Sequence, residues 1–274
     1  MLFKMENMLI KIFDTFGAEY LRRYHDRMPS SHRKAFSDIA TCRTIKHGMI
    51  ERICEECGDV HHSFGACRNR ACPKCNSLKN NEWINSICNK FPNINYYHIV
   101  FTVPDDLRYL ARRNQEIFYS LLLSAVHTTL QAFSESDEWV NGKTGYMCVL
   151  HTWDSQMNIH PHVHVLFMGG YLTAANAWIP LSTTKVFPNE AMSCRFKTVL
   201  LKSLRRYFQE NIPSDIWKKK WIVYTKRATT GDSHVIEYLG AYVKRVAIAS
   251  SRIVSVDDAG VIFKHRHYVG RHTV

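Results

Sequence analysis

Three groups of residues in this chain have types and spacings that can do chemistry. The first is the run His160-Pro161-His162-Val163-His164. It alternates as a strand does, with successive side chains on opposite faces, so His160, His162 and His164 share one face while Val163, Val165 and Phe167 share the other. Imidazoles converging on one face suit a metal ion. His151 lies eleven positions before His162 on the preceding apolar run, and cross-strand pairing would bring it alongside as a third ligand. Gln156 and His160 are weaker candidates for that place. Such a set leaves coordination positions open, where an ion would polarise a scissile phosphate oxygen as a Lewis acid. Mg²⁺ or Mn²⁺ is the expected ion, and a histidine-rich set accommodates manganese better than magnesium, which prefers oxygen ligands.

The second group is a pair of tyrosines. From Ser233 as N-cap, the stretch VIEYLGAYVKRVAIA places Val235, Ile236, Leu239, Val243 and Val246 on one helical stripe. Tyr238 and Tyr242 form an (i, i+4) pair at the edge of that stripe, with Arg245 on the same edge. Taken alone this spacing is a packing pattern. Beside a metal site it describes two phenolic nucleophiles, each able to attack phosphorus and hold the cleaved strand as a phosphotyrosine. Two of them allow successive strand transfers without water intervening.

The third group is cysteine. Cys54-Glu55-Glu56-Cys57 and Cys72-Pro73-Lys74-Cys75 are two thiolate pairs fourteen residues apart, suited to a closed tetrahedral Zn²⁺ site with a structural role. Cys42 and Cys67, with His47, His61 and His62 nearby, are the candidates for a second zinc.

Elements must hold these groups. Residues 7 to 24 carry an amphipathic helical pattern through Leu9, Ile10, Phe13, Phe16, Tyr20 and Tyr24, and a strand-poor, Cys-rich stretch follows to about residue 76. A helix through Trp83, Ile84 and Ile87 closes this module before Pro92. YYHIVFTV, ending at Pro104, is a strand; residues 106 to 133 are a long helix; GYMCVLHTW and HPHVHVLFM are an antiparallel hairpin across DSQMNI. A helix over 190 to 210, a strand at WIVYTK and a helix over 233 to 249 complete the pattern. The expected fold is α+β: a central antiparallel sheet with helices on one face, preceded by a small helical zinc-binding module, with domains at 1–92 and 93–274.

Together CRNRACPKC, FTVP, HTWDSQMNIHPHVHVL and YLGAYVKRVAIASSR resemble the IS91-like branch (IS801/IS1294 type) of the HUH transposases, which is related in mechanism to rolling-circle replication initiators and relaxases. The resemblance covers nearly the whole chain in the expected order. It implies an N-terminal zinc-binding domain, an HUH nuclease domain with His162 and His164 as its histidine pair, and Tyr238 and Tyr242 as nucleophiles. The separation of His151 from His162 resembles that of three-histidine relaxases. The implied activity is rolling-circle-type DNA transposition, by metal-dependent nicking and rejoining of single-stranded DNA through a 5′-phosphotyrosine. The chain departs from the family pattern at Ile50 and Ala71, where histidine is usual, which weakens the second zinc. Related proteins continue with a further basic region past the point matching Val274, so the resemblance reads this chain as a shortened copy.

Composition agrees with a polyanionic partner: 36 Lys and Arg against 24 Asp and Glu leave a formal charge of +12. Arg68 and Arg70 lie between the cysteine knuckles. Arg205 and Arg206, then Lys218, Lys219 and Lys220 between Trp217 and Trp221, mix cations with aromatic rings in a way that suits single-stranded DNA at transposon ends and target. No run approaches the roughly 18 apolar residues of a membrane span, so a prokaryotic cytoplasm, at the nucleoid, is the expected location. Two other readings share these features: a rolling-circle replication initiator or relaxase, and an inactive zinc-containing DNA-binding protein from a truncated element.

Overall fold

The apolar stripe of the N-terminus winds into α1 (Asn7–Tyr24), and Pro29, whose fixed φ suits a helix start, precedes α2 (Ser30–Ala40). Phe13 and Phe36 lie 5.1 Å apart between the two helices. Gly17 permits this approach, because a Cβ there would stand 2.9 Å from the Phe36 ring. This is a computed structural model; it describes residues 7–69, 71–75, 82, 86, 92–136, 138–140, 142–181, 186–209, 212–228, 248 and 250–264.

After α2 the chain forms an antiparallel ribbon, β1 (Met49–Ile53) and β2 (Val60–Phe64), in which only Ser63 is even half-buried. The Cys-rich stretch is therefore not as strand-poor as its composition suggests. The expected helix through Trp83, Ile84 and Ile87 lies largely outside the described residues.

The second unit is built on a four-stranded antiparallel sheet in the order β4-β5-β3-β8. β3 (Tyr96–Thr102) leads through Pro104 into α3 (Arg108–Arg113) and α4 (Gln115–Ser134). Their sequence carries one continuous apolar stripe, yet the helix breaks at Asn114, whose backbone is extended and whose side chain accepts the Ile117 N–H at 3.2 Å. An Asn cap of this kind stabilises a new helix start by about 1 kcal/mol, enough to divide the expected single helix in two.

β4 (Tyr146–Trp153) and β5 (Ile159–Met168) form the expected hairpin. Its turn is tied by Asp154, whose Oδ1 accepts the N–H groups of Gln156 and Asn158 at 2.8 and 2.9 Å. A short ribbon, β6 (Gly170–Leu172) with β7 (Trp178–Pro180), precedes α5 (Asn189–Phe208), α6 (Asp215–Lys218) and β8 (Val223–Ala228).

One face of this sheet is committed to packing. Tyr97, Ile99 and Phe101 of β3 and Val163, Val165 and Phe167 of β5 are fully buried beside Phe118, Leu122 and Leu130 of α4 and Phe196, Leu200 and Leu204 of α5. At about 1.5–3 kcal/mol for each large apolar side chain, this burial fixes the strand register. A shift by one residue would place the histidines in the core.

Near the C-terminus, β9 (Ile253–Asp257) and β10 (Gly260–Phe263) form a last hairpin, its turn held by Asp257 Oδ1 accepting from Ala259 and Gly260. This hairpin and the first 85 residues form one compact unit, and the sheet belongs to the other. Among the described residues no helix is long and apolar enough to cross a membrane.

Candidate metal centres

The register that buries Val163, Val165 and Phe167 turns the alternate residues of β5 to the opposite face. There His162 pairs directly with His151 of β4 and with Thr102 of β3, and His164 pairs with Val149 and Val100. His151, His162 and His164 each present one ring nitrogen within 4.8 Å of the other two. The His162 Nδ1–H donates to the His160 carbonyl at 2.7 Å, which leaves the Nε2 lone pair for the cluster. Such a set of nitrogen donors fits a divalent transition ion and leaves coordination positions for substrate oxygen. His160, on the same strand, turns elsewhere: its Nδ1 lies 3.5 Å from Asp105 and 3.3 Å from Arg108, which is itself paired with Asp105. Gln156 sits in the hairpin turn, where its side chain meets Asn158.

A fourth imidazole, not singled out from the sequence, joins this group. His98 of β3 lies with its Nε2 2.9 Å from His164 Nδ1. The signal was present, since His98 stands two residues from Val100 on a strand next to β5, but only the register reveals the meeting.

Burial favours the neutral, ligand-competent form of His98, His162 and His164. It pushes His162 down to about 4 and His98 to about 4, with Lys226 adding to the effect on His98. His164 falls to about 2, through burial first and then the neighbouring histidines. In the unfolded chain all three take up protons near 6.5. The metal-free protein should thus keep its full stability above pH 6.5 and lose it progressively as the pH falls towards 4, because the unfolded state binds more protons in that window. Thermal unfolding of metal-free protein between pH 7.5 and 4.5 checks this. The decline should be steeper in wild type than in a His162→Ala, His164→Ala double variant, and equal slopes would contradict the assignment.

In the N-terminal unit, Cys42, Cys67, Cys72 and Cys75 bring their sulfurs within 4.8 Å of one another. Cys42 and Cys67 lie 3.4 and 3.7 Å from Cys75. Zinc–sulfur bonds near 2.3 Å in a tetrahedron require sulfurs about 3.8 Å apart, so the cluster fits Zn²⁺ with no open position. The knuckle is pinned to α2 and the turn that follows it: Asn69 donates to Asp38 at 2.8 Å, and Lys74 Nζ donates to the Cys42 carbonyl at 3.2 Å. Burial pushes the Cys72 thiol up and Cys67 up to about 11, so zinc binding must release protons.

This grouping differs from the pairing expected from spacing: the sulfurs of Cys54 and Cys57 lie outside the cluster of Cys72 and Cys75, whereas those of Cys42 and Cys67, expected at a second site, lie within it. The β1–β2 ribbon carries Cys54 and Cys57 to its exposed tip, where Gly58, at φ +70°, donates to the Cys54 carbonyl at 2.9 Å. Backbone N–H groups of Cys57 and Glu56 lower the pKa of the Cys54 thiol there. Among the described residues no third ligand meets this pair.

The basic candidates divide by what they touch. Arg68 is exposed, and Arg70 lies outside the described residues. Arg205 stacks over Trp217 at 5.2 Å, and Arg206 beside it is exposed. Lys219 is paired with Asp106 at 2.7 Å, and Lys220 stands 3.9 Å from Glu190. Lys218, Lys219 and Lys220 line a cavity of about 900 Å³ together with Lys197, Trp139 and Trp221. Tyr238, Tyr242 and Arg245, with the helix expected to carry them, lie outside the described residues.

Comparison with known proteins gives these centres a context. Residues 12–103 match a family described as "Transposase zinc-binding domain", and residues 145–274 match one described as "Putative transposase". The chain is 28% identical to the "Putative transposase y4qJ" of Sinorhizobium fredii, over 94% of this chain and 69% of that protein. It is 26% identical to the transposase for insertion sequence element IS801 of Pseudomonas savastanoi pv. phaseolicola, over 82% of this chain and 58% of that protein. No solved structure matches. The first family spans the Cys₄ cluster and supports a structural zinc there; the second spans the histidine hairpin. Both families in this order, and relatives of the same kind, support an IS91-like transposase with an N-terminal zinc-binding domain.

Proposed function

We propose that this transposase is a metal-dependent endonuclease and strand transferase on single-stranded DNA, acting through a 5′-phosphotyrosine. The observation that carries this reading is the convergence of His151, His162 and His164 on the face of the sheet opposite its helices. These three residues would hold Mn²⁺ or Mg²⁺. When bound, the ion supplies Lewis-acid stabilisation of charge on a phosphate oxygen.

The covalent step belongs to the tyrosines. The phenolic oxygen of Tyr238 or Tyr242 gives up its proton and bonds to phosphorus, the bond from phosphorus to the 3′-oxygen breaks, and the departing 3′-oxygen takes up a proton. The strand on the 5′ side is released as a 3′-hydroxyl, and the other stays on the enzyme until a second 3′-hydroxyl displaces the tyrosine. On the helix expected from the sequence, the (i, i+4) spacing would put both tyrosines on one edge, and Arg245 would add a cation for the phosphate. The basic and aromatic residues around Lys218 to Lys220 suit the DNA backbone and unpaired bases.

Single-stranded oligonucleotides covering the element ends, with Mn²⁺, test this. DNA labelled at its 3′ end should remain on the protein through denaturing electrophoresis, and the complex should disappear in the Tyr238→Phe, Tyr242→Phe double variant. No adduct from the wild-type chain, or one that survives that double variant, sinks the proposal.

A further inference from the structure

We infer that His98 is a positioning residue for the metal centre, holding His164 in the tautomer and ring orientation that present Nε2 to the ion. This rests on the reading of His151, His162 and His164 as metal ligands. A metal-bound histidine is oriented by whatever occupies its other ring nitrogen, and that partner also sets which nitrogen carries the proton. Both core ligands have such a partner. For His162 it is the His160 carbonyl, at 2.7 Å from Nδ1. For His164 it is a side chain, since His164 Nδ1 lies 2.9 Å from His98 Nε2.

The fold builds this pairing. His98 is on β3, between β5 and β8, and Val100, two residues on, stands directly opposite His164, so His98 lies diagonally across on the same face. The two rings are nearly parallel, 19° apart, with centroids 5.1 Å apart. His98 is not one of the three residues whose nitrogens converge, which places it behind the ligand and not among the set. Lys226 is its cross-strand partner on β8. With His98 accepting at Nε2, His164 donates from Nδ1, and the lone pair of His164 is then on Nε2. A backbone carbonyl holds His162 whatever its side-chain neighbours, whereas the partner of His164 Nδ1 is a replaceable side chain.

The experiment uses the full chain with its zinc retained and measures Mn²⁺ binding by the loss of the free-ion paramagnetic resonance signal. His98→Phe keeps the ring volume but has no acceptor, and His98→Gln keeps an acceptor on a shorter planar group. His98→Phe should weaken Mn²⁺ binding about 10- to 100-fold, the usual effect of losing an outer partner, and His98→Gln should recover most of that loss. Nitrogen-15 imidazole spectra of the metal-free protein should show His164 protonated at Nδ1 in wild type and as a tautomer mixture in His98→Phe. A role in packing alone would weaken both variants without changing the tautomer. Wild-type Mn²⁺ affinity and an unchanged His164 tautomer in His98→Phe overturn the inference. Manganese binding indifferent to His162→Ala is a different result, because it removes the metal centre itself.

Discussion

Cys42→Ser and Cys72→Ser are each expected to release the zinc and unfold the N-terminal unit, while Cys54→Ser and Cys57→Ser leave that zinc bound and the unit folded. The contrast follows from what the core of this unit is made of. Among the described residues, the buried cluster around the zinc ligands is Ile10, Ile39, Cys42, Cys72 and Cys75, with Phe13 and Cys67 packed against it. The metal ligands are thus most of this cluster. Structural zinc contributes roughly 10–16 kcal/mol of apparent binding energy, comparable to the 5–15 kcal/mol net stability of a whole domain. The few apolar contacts of α1 and α2 cannot replace it. Cys54 and Cys57 are exposed at the tip of the ribbon, far enough from the other four that their sulfurs share no cluster with them. Zinc content by metal analysis and protease resistance of the N-terminal unit give the readout. If Cys54→Ser strips the zinc and Cys42→Ser does not, the sulfur grouping described above is wrong.

The same comparison shows what sequence can and cannot convey. The four strands of the sheet were legible because alternation and β-branched composition are local, and the hairpin DSQMNI turn fixed which strands pair. That placed His151 across from His162, where the register indeed puts it. The zinc grouping was not legible in the same way. Two CxxC pairs look equivalent in a list of spacings, and only the path of the chain, out along β1 and back along β2, separates one from the other. The break at Asn114 was locally signalled by a capping residue, but the apolar stripe running through it masks a cap worth about 1 kcal/mol. His98 was hidden for a third reason. A lone histidine on a strand is ordinary, and it acquires meaning only when the neighbouring strand brings His164 within hydrogen-bonding distance.

His162→Ala should reduce the rate of single-strand nicking by at least about 10²–10³-fold, the range seen when a preorganised group that stabilises transition-state charge is removed. Among the proposed ligands, His162 is fixed on two sides: its Nδ1 is held by the His160 carbonyl, and it faces His151 directly across the hairpin. Removing it leaves two imidazoles and an additional open position for water. His160→Ala is the matched control, on the same strand and two residues away, yet its ring serves Asp105 and Arg108 and not the cluster. That substitution should cost less than about tenfold, or 1.4 kcal/mol of barrier. Both variants belong in a single-turnover assay with Mn²⁺ and a labelled single-stranded oligonucleotide, alongside thermal unfolding to show that the sheet survives. Because Val163 and Val165 hold the strand in register from the buried face, neither substitution removes core packing. Equal nicking rates for His162→Ala and wild type would separate the histidine cluster from catalysis, and a large loss in His160→Ala would move the centre towards Asp105. The expected order, wild type close to His160→Ala and far above His162→Ala, is what alternation on one strand and a register set by the opposite face require.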